Sequence, residues 1–346
     1  MAVKEHLLIP LYQQYIKDSY KGKRTKPNGE RIRPQSVKNY EYNMALMVKF
    51  AHYSGYTLRI KEYNRLGKRE RLAESAYWKK FTQKLTVYLF KERGVYDNYA
   101  GLVFRQLKSL FRWIHNEKLI DTGPYYKNFK VLKEEVPVTA LTREQLLRLI
   151  YDKDLEKSLG ENLLISKDMF VFGCTVALRF SDLSAITHKN FELVEGDWYL
   201  KTLSQKTKTY TSVKLPPYAA DIMLKYYNKR NKYLFRRITL YNFNKHIKQI
   251  GEVIGLTQPI SRVRSIKGMV AETASDKKRP LRFCDTMSSH MMRRTAITNL
   301  LTLGMPEILV KHISGHAGDS KSFHRYVNYS LSYVNEELDK AFEQMK

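Results

Sequence analysis

The sequence predicts a mainly α-helical protein with a small β-sheet, an α+β fold in two domains. The chain has 346 residues, more than a single hydrophobic core usually supports. Many of its apolar residues recur at steps of three and four, the spacing of amphipathic helices. One segment instead reads as two short strands joined by a polar turn. These features predict two largely helical domains, of which the second also carries a β-hairpin.

The first domain is predicted to be helical and to span residues 1–132. Ser36 can cap a helix that Gly55 ends, because the apolar residues between them have helical spacing. These residues are Val37, Tyr40, Met44, Met47 and Ala51. A second helix is predicted from about Asn98 to Asn116, with one apolar stripe. The stripe consists of Val103, Phe104, Leu107, Leu110, Phe111 and Ile114.

The second of these helices also has a basic face, formed by Arg105, Lys108 and Arg112. A charged helix face is ordinarily solvated. In a chain with a formal net charge of +27, contact with phosphates is an equally good interpretation. The basic segment from Lys21 to Arg33 has the same two interpretations, a flexible solvated loop or a surface that follows a polyanion.

A linker is predicted at residues 133–140, where charged residues are followed by Val136-Pro137-Val138. The second domain is therefore expected to span residues 141–346. Its first helix should begin near Thr142, because Thr142 and Gln145 have the spacing of a capping box.

The second domain is predicted to contain helices and one clear hairpin. The hairpin strands are Trp198–Ser204 and Thr211–Leu215, and a helix should follow from Pro216-Pro217 through Tyr226. The basic segment from Ser261 to Arg282 is predicted as another hairpin or a loop. Apolar residues at steps of three and four predict an amphipathic helix at the C-terminal end, over residues 330–346.

The charge balance points to a polyanionic partner. Lys and Arg total 61 residues against 34 acidic ones, and such a surface displaces counterions from nucleic-acid phosphates. An anionic membrane is the rival partner, but no basic amphipathic helix with a terminal anchor is evident. We see neither a secretory signal nor a membrane span, which predicts a soluble, intracellular protein. Its two cysteines, Cys174 and Cys284, indicate neither a zinc site nor a disulfide framework.

The second domain contains the residue types that phosphodiester chemistry needs without a metal. Fixed cations must neutralise charge on the non-bridging oxygens, and the planar guanidinium of arginine can meet two oxygens at once. A nucleophile and proton-transfer groups are also needed. Individually the candidates are weak, since the chain has 25 tyrosines, but they occur together. In order, they are Arg179, Lys206, His290, Arg293, His316 and Tyr326.

This order resembles the tyrosine recombinase, or phage-type integrase, family. The family pattern is an arginine in a box seen here as Ala177-Leu-Arg-Phe-Ser-Asp-Leu183, a hairpin lysine, His-x-x-Arg, Gly-His and a tyrosine. Within the family, the chain is similar to integrases of Bacteroides-type mobile elements. The similarity is clear over residues 140–335. It implies a helical core-binding (SAM-like) DNA-binding domain at 1–132 and a catalytic domain at 141–346.

The resemblance implies a role for each residue of the pattern. Tyr326 would attack the scissile phosphate and form a 3′-phosphotyrosyl bond. Arg179 and Arg293 would hold the phosphate oxygens, and Lys206 would protonate the leaving 5′-oxygen. His290 would transfer a proton at the nucleophile, His316 would hydrogen-bond the phosphate, and Asp182 would orient the site. No metal, ATP or other cofactor would be required, because the phosphotyrosyl bond conserves the bond energy.

The resemblance also implies partners and a setting. The partner would be double-stranded DNA, on which a homotetramer would pair two sites and exchange C-terminal helices between protomers. Accessory DNA-bending proteins could take part. The protein would be cytoplasmic and nucleoid-associated, without membrane contact. Integration, excision and inversion all remain open, because the arm-binding domain of many phage-type integrases is not evident. Lys208 is an alternative to Lys206, and Tyr329 and Tyr333 to Tyr326. The rival functions are a type IB topoisomerase-like nicking-closing enzyme and a non-catalytic DNA-binding protein.

Overall fold

The structure is a computed structural model that describes residues 4–136, 139–205, 209–261, 263–272 and 280–316, together with Phe323, Tyr326, Phe342 and Glu343. Its residues form two compact units. The first unit consists of Met1–Val136 and Val263–Thr273, and the second of Pro137–Arg262 and Ala274–Lys346. Most of the described residues are helical and the strands are short, which confirms the predicted α+β class.

The described part of the first unit is built from long helices. They are α1 (Leu8–Tyr20), α2 (Pro34–Ser54), α3 (Lys68–Val87) and α4 (Asp97–Glu117), and β1 (Glu5–Leu7) pairs antiparallel with β2 (Arg59–Lys61). Pro34 begins α2 because its fixed φ suits a first helical turn. Gly55 ends α2 at a φ of 61°, which glycine adopts without strain. The two helices predicted in this region, α2 and α4, are confirmed, but the predicted cap at Ser36 is wrong, because α2 already begins at Pro34 with Arg33 as its N-cap.

Aromatic side chains fill the core of the first unit. Trp78 packs edge-on against Phe81 and Phe111, with ring centroids 5.1 and 5.0 Å apart. Phe129 meets Phe111 edge-on at 5.7 Å. Such pairs contribute about 0.5–1.5 kcal/mol each beyond the apolar area that they bury. All six residues of the apolar stripe predicted on α4 are buried, so this helix forms one wall of the core.

The second unit is a helical body with a small sheet. Its described helices are α5 (Arg143–Tyr151), α6 (Lys153–Ser158), α7 (Glu161–Val176), α8 (Phe180–Leu183), α9 (Pro217–Tyr226), α10 (Leu240–Val253), α11 (Phe283–Thr286), α12 (Ser289–Thr302) and α13 (Glu307–Ile313). The predicted capping box begins α5, because Thr142 Oγ1 accepts the Gln145 N–H at 3.2 Å and Gln145 Oε1 accepts the Thr142 N–H at 3.0 Å. The helix predicted after Pro216 is confirmed as α9.

The sheet of the second unit contains β3 (Phe191–Val194), β4 (Asp197–Leu203) and β5 (Tyr210–Lys214), in that order and all antiparallel. β4 and β5 pair with Leu200 opposite Val213, which confirms the predicted hairpin. β3 was not predicted from the sequence. It has four residues, and three of its side chains are exposed, so it lacks the alternation that marks a strand.

Close packing of α7 against α12 positions the candidate site. Gly173 of α7 lies where the two helices approach each other, and a methyl group at this position would come within 2.4 Å of Met292 Sδ. Because glycine has no side chain, α12 can lie close to α7. The end of α7 at Ala177 therefore comes within hydrogen-bond distance of Arg293 on α12.

A second hairpin, formed by β6 (Val263–Ile266) and β7 (Met269–Glu272), belongs to the first unit. Of the two predictions for this basic segment, the hairpin is therefore confirmed. Asp97 of α4 fixes its turn, because the carboxylate accepts the backbone N–H groups of Lys267 at 2.7 Å and Gly268 at 2.8 Å.

Candidate active site

The turn after α7 carries the first predicted site residue, Arg179. Ala177 ends α7 in the left-handed conformation with a φ of 54°. This conformation costs a residue with a Cβ about 1–2 kcal/mol, and such strain is found most often at functional sites. The turn places Arg179 at the N-terminus of α8 and leaves its side chain partly exposed.

Asp182 of α8 is buried and connects Arg179 to the end of β4. The Arg179 Nη1 group donates to Ser204 Oγ at 3.2 Å, and Ser204 Oγ donates to Asp182 Oδ2 at 3.3 Å. The other carboxylate oxygen, Oδ1, accepts the backbone N–H of Gln205 at 3.1 Å. Asp182 thus supports both the first arginine and the start of the turn that follows β4.

Arg293 is the most deeply buried cation of the site, with 2% of its surface exposed. It lies on α12, and its Nη1 group donates to the carbonyl of Ala177 at 3.0 Å and to the carbonyl of Ser314. Its Nη2 group lies 3.0 Å from the ring nitrogens of His316. These contacts join α12 to the ends of α7 and α13 around one guanidinium group.

His316 follows α13 in a tight turn. Gly315 has a φ of 59°, a conformation that favours glycine, and the His316 backbone N–H donates to Lys311 O at 2.9 Å. Ser314 is fully buried, and its Oγ atom lies 2.8 Å from His316 Nδ1. The turn therefore holds the imidazole ring against Arg293.

Tyr326 lies beside His316. The ring centroids of the two residues are 5.9 Å apart in an edge-on arrangement, and Phe323 contacts both rings. Tyr326 is buried in a small apolar cluster with Phe323, Ala177 and Val310. Its ring is therefore fixed next to the histidine and the arginines.

His290 lies on α12, one helical turn before Arg293, and its side chain is exposed. It is close enough to His316 for its charge to lower the pKa of that residue. The His-x-x-Arg spacing thus places both residues towards the same pocket, as expected for positions i and i+3 of a helix.

Burial and neighbouring cations depress two pKa values in the pocket. Burial and then the charges of Arg293, Arg179 and His290, in that order, together lower the pKa of His316 to about 3. Burial, aided by the charge of Arg179, also lowers the pKa of Arg293 to about 10. At neutral pH the ring of His316 is therefore neutral, whereas Arg293 remains charged.

Of the predicted site residues, the structure brings together Arg179, Asp182, His290, Arg293, His316 and Tyr326 in the second unit. Two guanidinium groups, a neutral imidazole and a phenol then share one pocket. This set can bind a phosphodiester, neutralise its developing charge and offer an oxygen nucleophile. The predictions for Lys206, Lys208, Tyr329 and Tyr333 lie outside the described residues, as does nearly all of the predicted helix at 330–346.

Sequence reasoning missed two serines of the site, Ser204 and Ser314. Each is buried and hydrogen-bonds a predicted site residue. Ser314 is adjacent to the Gly315-His316 motif, so its position was a usable signal. Ser204 carries no comparable signal, because its partners Arg179 and Asp182 are 25 and 22 residues away in the chain.

The predicted basic face of the first unit lies on α4. Arg105 and Arg112 are exposed, whereas Lys108 donates to the backbone carbonyl of Lys127 at 2.9 Å. Two of the three cations are thus exposed to solvent.

The described residues contain no group of three histidine, cysteine or acidic side chains that could hold a metal ion. No helix in the described part of the chain is both long enough and apolar enough to cross a membrane.

Comparison with known structures shows a shared fold over nearly the whole chain. The XerH site-specific recombinase bound to its difH substrate is similar at a TM-score of 0.59 and 13% identity, covering 93% of each chain. The Tn1549 transposon integrase in complex with a circular intermediate DNA is similar at a TM-score of 0.58 and 13% identity. The similarity covers 96% of this chain and 99% of the other. A lambda integrase dimer bound to a COC′ core site is similar at a TM-score of 0.59 and 14% identity. The similarity covers 95% of this chain and 78% of the other.

Comparison with curated protein sequences finds no match. The model of the phage integrase family matches residues 140–331, which is more than half of the chain and includes Arg179, Arg293, His316 and Tyr326. The chain therefore belongs to the phage integrase family of tyrosine-type site-specific DNA recombinases.

Proposed function

We propose that this recombinase cleaves one DNA strand by attack of Tyr326 on the scissile phosphate, giving a 3′-phosphotyrosyl bond and a free 5′-hydroxyl group. The convergence of two arginines, a neutral histidine and a buried tyrosine in one pocket is the observation that carries this proposal. Rejoining is the reverse reaction, in which a 5′-hydroxyl attacks the phosphotyrosyl bond.

Arg179 and Arg293 are proposed to neutralise the phosphate in the transition state. Arg293 retains its charge at neutral pH even though it is buried, since its pKa stays near 10. Its bonds to the carbonyls of Ala177 and Ser314 hold the guanidinium in place before DNA arrives. Preorganised charge of this kind accelerates a reaction more than a flexible cation would. Asp182 would act indirectly, by orienting Arg179 through Ser204.

Proton transfer requires two further roles. The phenol of a tyrosine is mostly protonated at neutral pH and is then a poor nucleophile. His290, which lies at the pocket and is exposed, is proposed to take part in removing this proton, and His316 to hydrogen-bond the phosphate. The resemblance assigns protonation of the leaving 5′-oxygen to the hairpin lysine, for which we propose Lys206, with Lys208 as the alternative.

The reaction as proposed conserves the energy of the phosphodiester bond in the phosphotyrosyl link. It therefore requires neither ATP nor a metal ion, and we propose that the enzyme uses no cofactor. This differs from hydrolysis, in which the bond energy is lost to water and rejoining needs a separate energy source.

The first unit is proposed to bind double-stranded DNA as the core-binding domain, with boundaries near residues 1–132 and a linker at 133–140. Two exposed arginines on α4, Arg105 and Arg112, support this proposal, as does the net charge of +27. Residues 141–346, apart from the hairpin of β6 and β7 that belongs to the first unit, would then form the catalytic domain. Lys108 contributes less to such a surface, because it already binds a backbone carbonyl.

The working assembly is proposed to be a homotetramer on two paired DNA sites, with C-terminal helices over residues 330–346 exchanged between protomers and with accessory DNA-bending proteins. We further propose a cytoplasmic, nucleoid-associated enzyme of a Bacteroides-type mobile element. Similarity in fold to the integrase of the Tn1549 transposon supports an origin in a mobile element. Integration, excision and inversion use the same chemistry and differ in how the sites are arranged.

A suicide substrate tests the proposed chemistry. A duplex carrying the element's own end is nicked close to the cleavage position, so that the short 5′-hydroxyl strand diffuses away and rejoining is blocked. The proposal predicts a covalent adduct on the 3′ side of the break, formed without ATP and in the presence of a chelator. An adduct on a 5′ phosphate, or hydrolysis without any adduct, would refute it. Relaxation of plasmids that lack sites would instead favour a topoisomerase.

A further inference from the structure

Ser314 contacts two residues of the candidate site through different atoms. Its backbone carbonyl accepts a hydrogen bond from Arg293 Nη1, and its hydroxyl oxygen lies 2.8 Å from His316 Nδ1. The residue is completely buried at the end of α13. A buried hydroxyl group between two site residues must have a defined hydrogen-bond direction, because water does not compete for its proton.

The position of the hydroxyl proton follows from the neighbours of Ser314 Oγ. This atom lies 2.6 Å from the carbonyl oxygen of Val310 and 3.3 Å from that of Lys311. Carbonyl oxygens can only accept, and two oxygens 2.6 Å apart repel each other unless a proton lies between them. The hydroxyl proton therefore points to Val310. Ser314 Oγ presents a lone pair to His316, so Nδ1 must carry the proton of that hydrogen bond.

The second ring nitrogen of His316 faces Arg293. A guanidinium group is a donor only, so its Nη2 atom requires a lone pair on the imidazole ring. With Nδ1 protonated, the lone pair of a neutral ring is on Nε2, which lies 3.0 Å from Arg293 Nη2. Because Arg293 Nη2 lies 3.0 Å from both ring nitrogens, its position does not by itself distinguish them, and the assignment of the tautomer rests on Ser314.

We propose that Ser314 is a positioning residue that fixes His316 as the Nδ1–H tautomer, so that His316 Nε2 accepts a hydrogen bond from Arg293 in the DNA-free enzyme. The hydrogen bonds then form a directed chain from Arg293 through His316 and Ser314 to the carbonyl of Val310. The contribution of this chain of hydrogen bonds to catalysis rests on the proposed function. In this arrangement His316 holds Arg293 in place, and Nε2 can donate to a phosphate oxygen only after it gains a proton.

The charges around the ring favour this neutral form. Four nearby cations act on it: His290 and Arg293 from α12, Arg179 from the start of α8, and Lys311 from α13. Asp182 on α8 bonds Ser204 and the Gln205 backbone, and the phenol of Tyr326 lies at the ring edge. Together with burial, the cations keep the pKa of His316 near 3, so a second ring proton is absent at neutral pH.

The direct test is nitrogen NMR of the full-length, histidine-labelled protein without DNA at pH 7. One-bond and multiple-bond nitrogen–proton couplings identify which ring nitrogen carries the proton, and loss of a signal in His316→Gln assigns it among the nine histidines. The proposal predicts a protonated Nδ1 and an unprotonated Nε2. A protonated Nε2, or a doubly protonated ring, would overturn it. This measurement needs no Ser314 variant, so it decides even if such variants do not fold.

Substitution tests whether Ser314 is the cause. In Ser314→Ala the ring should lose its fixed tautomer and show Nε2 protonation, whereas Ser314→Thr retains the hydroxyl group and should keep the wild-type signal. Formation of the covalent adduct at saturating DNA should slow about tenfold in Ser314→Ala, with DNA affinity changed less than about twofold. An unchanged tautomer in Ser314→Ala would overturn the proposal. Absence of any adduct in the wild type would instead refute the proposed function and leave the tautomer result valid.

Discussion

Arg179 and Arg293 share one pocket but are held by different contacts. Arg179 is partly exposed and bonds one side chain, Ser204, whereas Arg293 is buried and donates to two backbone carbonyls and a histidine. Both are expected to neutralise the same phosphate. Their substitution should therefore have similar effects on catalysis and different effects on stability.

Replacement of each arginine by lysine tests this distinction. Arg179→Lys should slow strand cleavage by about 10²–10³-fold, the loss typical of one transition-state contact, and leave the melting temperature nearly unchanged. Arg293→Lys should lose cleavage to a similar degree and also destabilise the fold, because buried carbonyls left unpaired cost about 1–3 kcal/mol each. DNA affinity should change less than about threefold in both, because many cations share binding. Equal losses in affinity and cleavage would contradict the transition-state role.

His316 should make stability depend on pH. Its pKa is about 3 in the folded protein, against about 6.5 in an unfolded chain. As pH falls below 6.5, the unfolded state gains a proton that the folded state does not bind, so stability decreases. Denaturant unfolding of the wild type and His316→Gln between pH 7 and pH 4.5 measures this. The slope of the free energy of unfolding against pH reports the number of protons bound on unfolding. Near pH 5 this number should differ by about one between the wild type and His316→Gln. Parallel curves would show that the pKa of His316 is the same in the folded and unfolded protein.

The order of the site residues was predictable from the sequence, but the way they are held was not. Arginine, histidine and tyrosine have recognisable spacing around His290, Arg293 and His316. The contacts that fix Arg293 come from carbonyls 116 and 21 residues away. No local pattern encodes such backbone contacts, because any residue can supply a carbonyl group.

At the scale of elements, the packing of α7 against α12 determines where Arg293 lies. Gly173→Ala should push the helices apart, because the added methyl group would come within 2.4 Å of Met292 Sδ and 3.1 Å of Leu183 Cδ2. Overpacking of this kind costs about 1–3 kcal/mol and should also slow cleavage, since Arg293 would leave the Ala177 carbonyl. Unfolding and cleavage assays measure both effects.

Gly160→Ser is the matched control for Gly173→Ala. Gly160 caps the start of the same helix, a side chain there meets nothing within 4 Å, and serine is favoured at helix caps. It should retain wild-type stability and cleavage. If Gly173→Ala behaves like this control, close packing of α7 on α12 is not required for the site.

Helices with a clear apolar stripe were predictable, and short elements were not. α2, α4 and α9 follow their predicted bounds to within a few residues, because the apolar stripes, the glycine that ends α2 and the prolines before α9 mark them in the sequence. β3 has four residues with mostly exposed side chains, so its strand character comes from pairing with β4. Pairing between strands depends on tertiary structure and leaves little trace in such a short sequence.

At the scale of the molecule, the excess of basic residues should appear in the salt dependence of DNA binding. Replacing both Arg105 and Arg112 by alanine should reduce the slope of log affinity against log salt by roughly 1.8, since each lost phosphate contact contributes about 0.9. Binding titrations at several salt concentrations measure the slope. Lys157→Ala, which removes an exposed lysine paired with Asp154, is the control and should leave it unchanged. If both variants show the same salt dependence, α4 is not part of the surface that binds DNA.

The fold class of the whole molecule was predicted correctly from the sequence. An α+β protein with a helical first part was predicted from periodicity, and the family match covers residues 140–331. The hairpin of β6 and β7 belongs to the first unit, although it lies more than a hundred residues after the predicted linker. Buried Asp97 holds its turn through backbone N–H groups, a contact that leaves no residue pattern in the hairpin itself.

The nucleophile is the central claim, and trapping of the covalent adduct in tyrosine variants tests it most directly. Tyr326 lies beside His316, whose ring is bonded to Arg293, and phenylalanine would keep its packing while removing the reactive oxygen. On a nicked suicide substrate, Tyr326→Phe should form no adduct and retain DNA affinity, whereas Tyr329→Phe and Tyr333→Phe should form adducts whose mass maps to the peptide containing Tyr326. An adduct formed by Tyr326→Phe, together with its loss in Tyr329→Phe or Tyr333→Phe, would contradict the assignment.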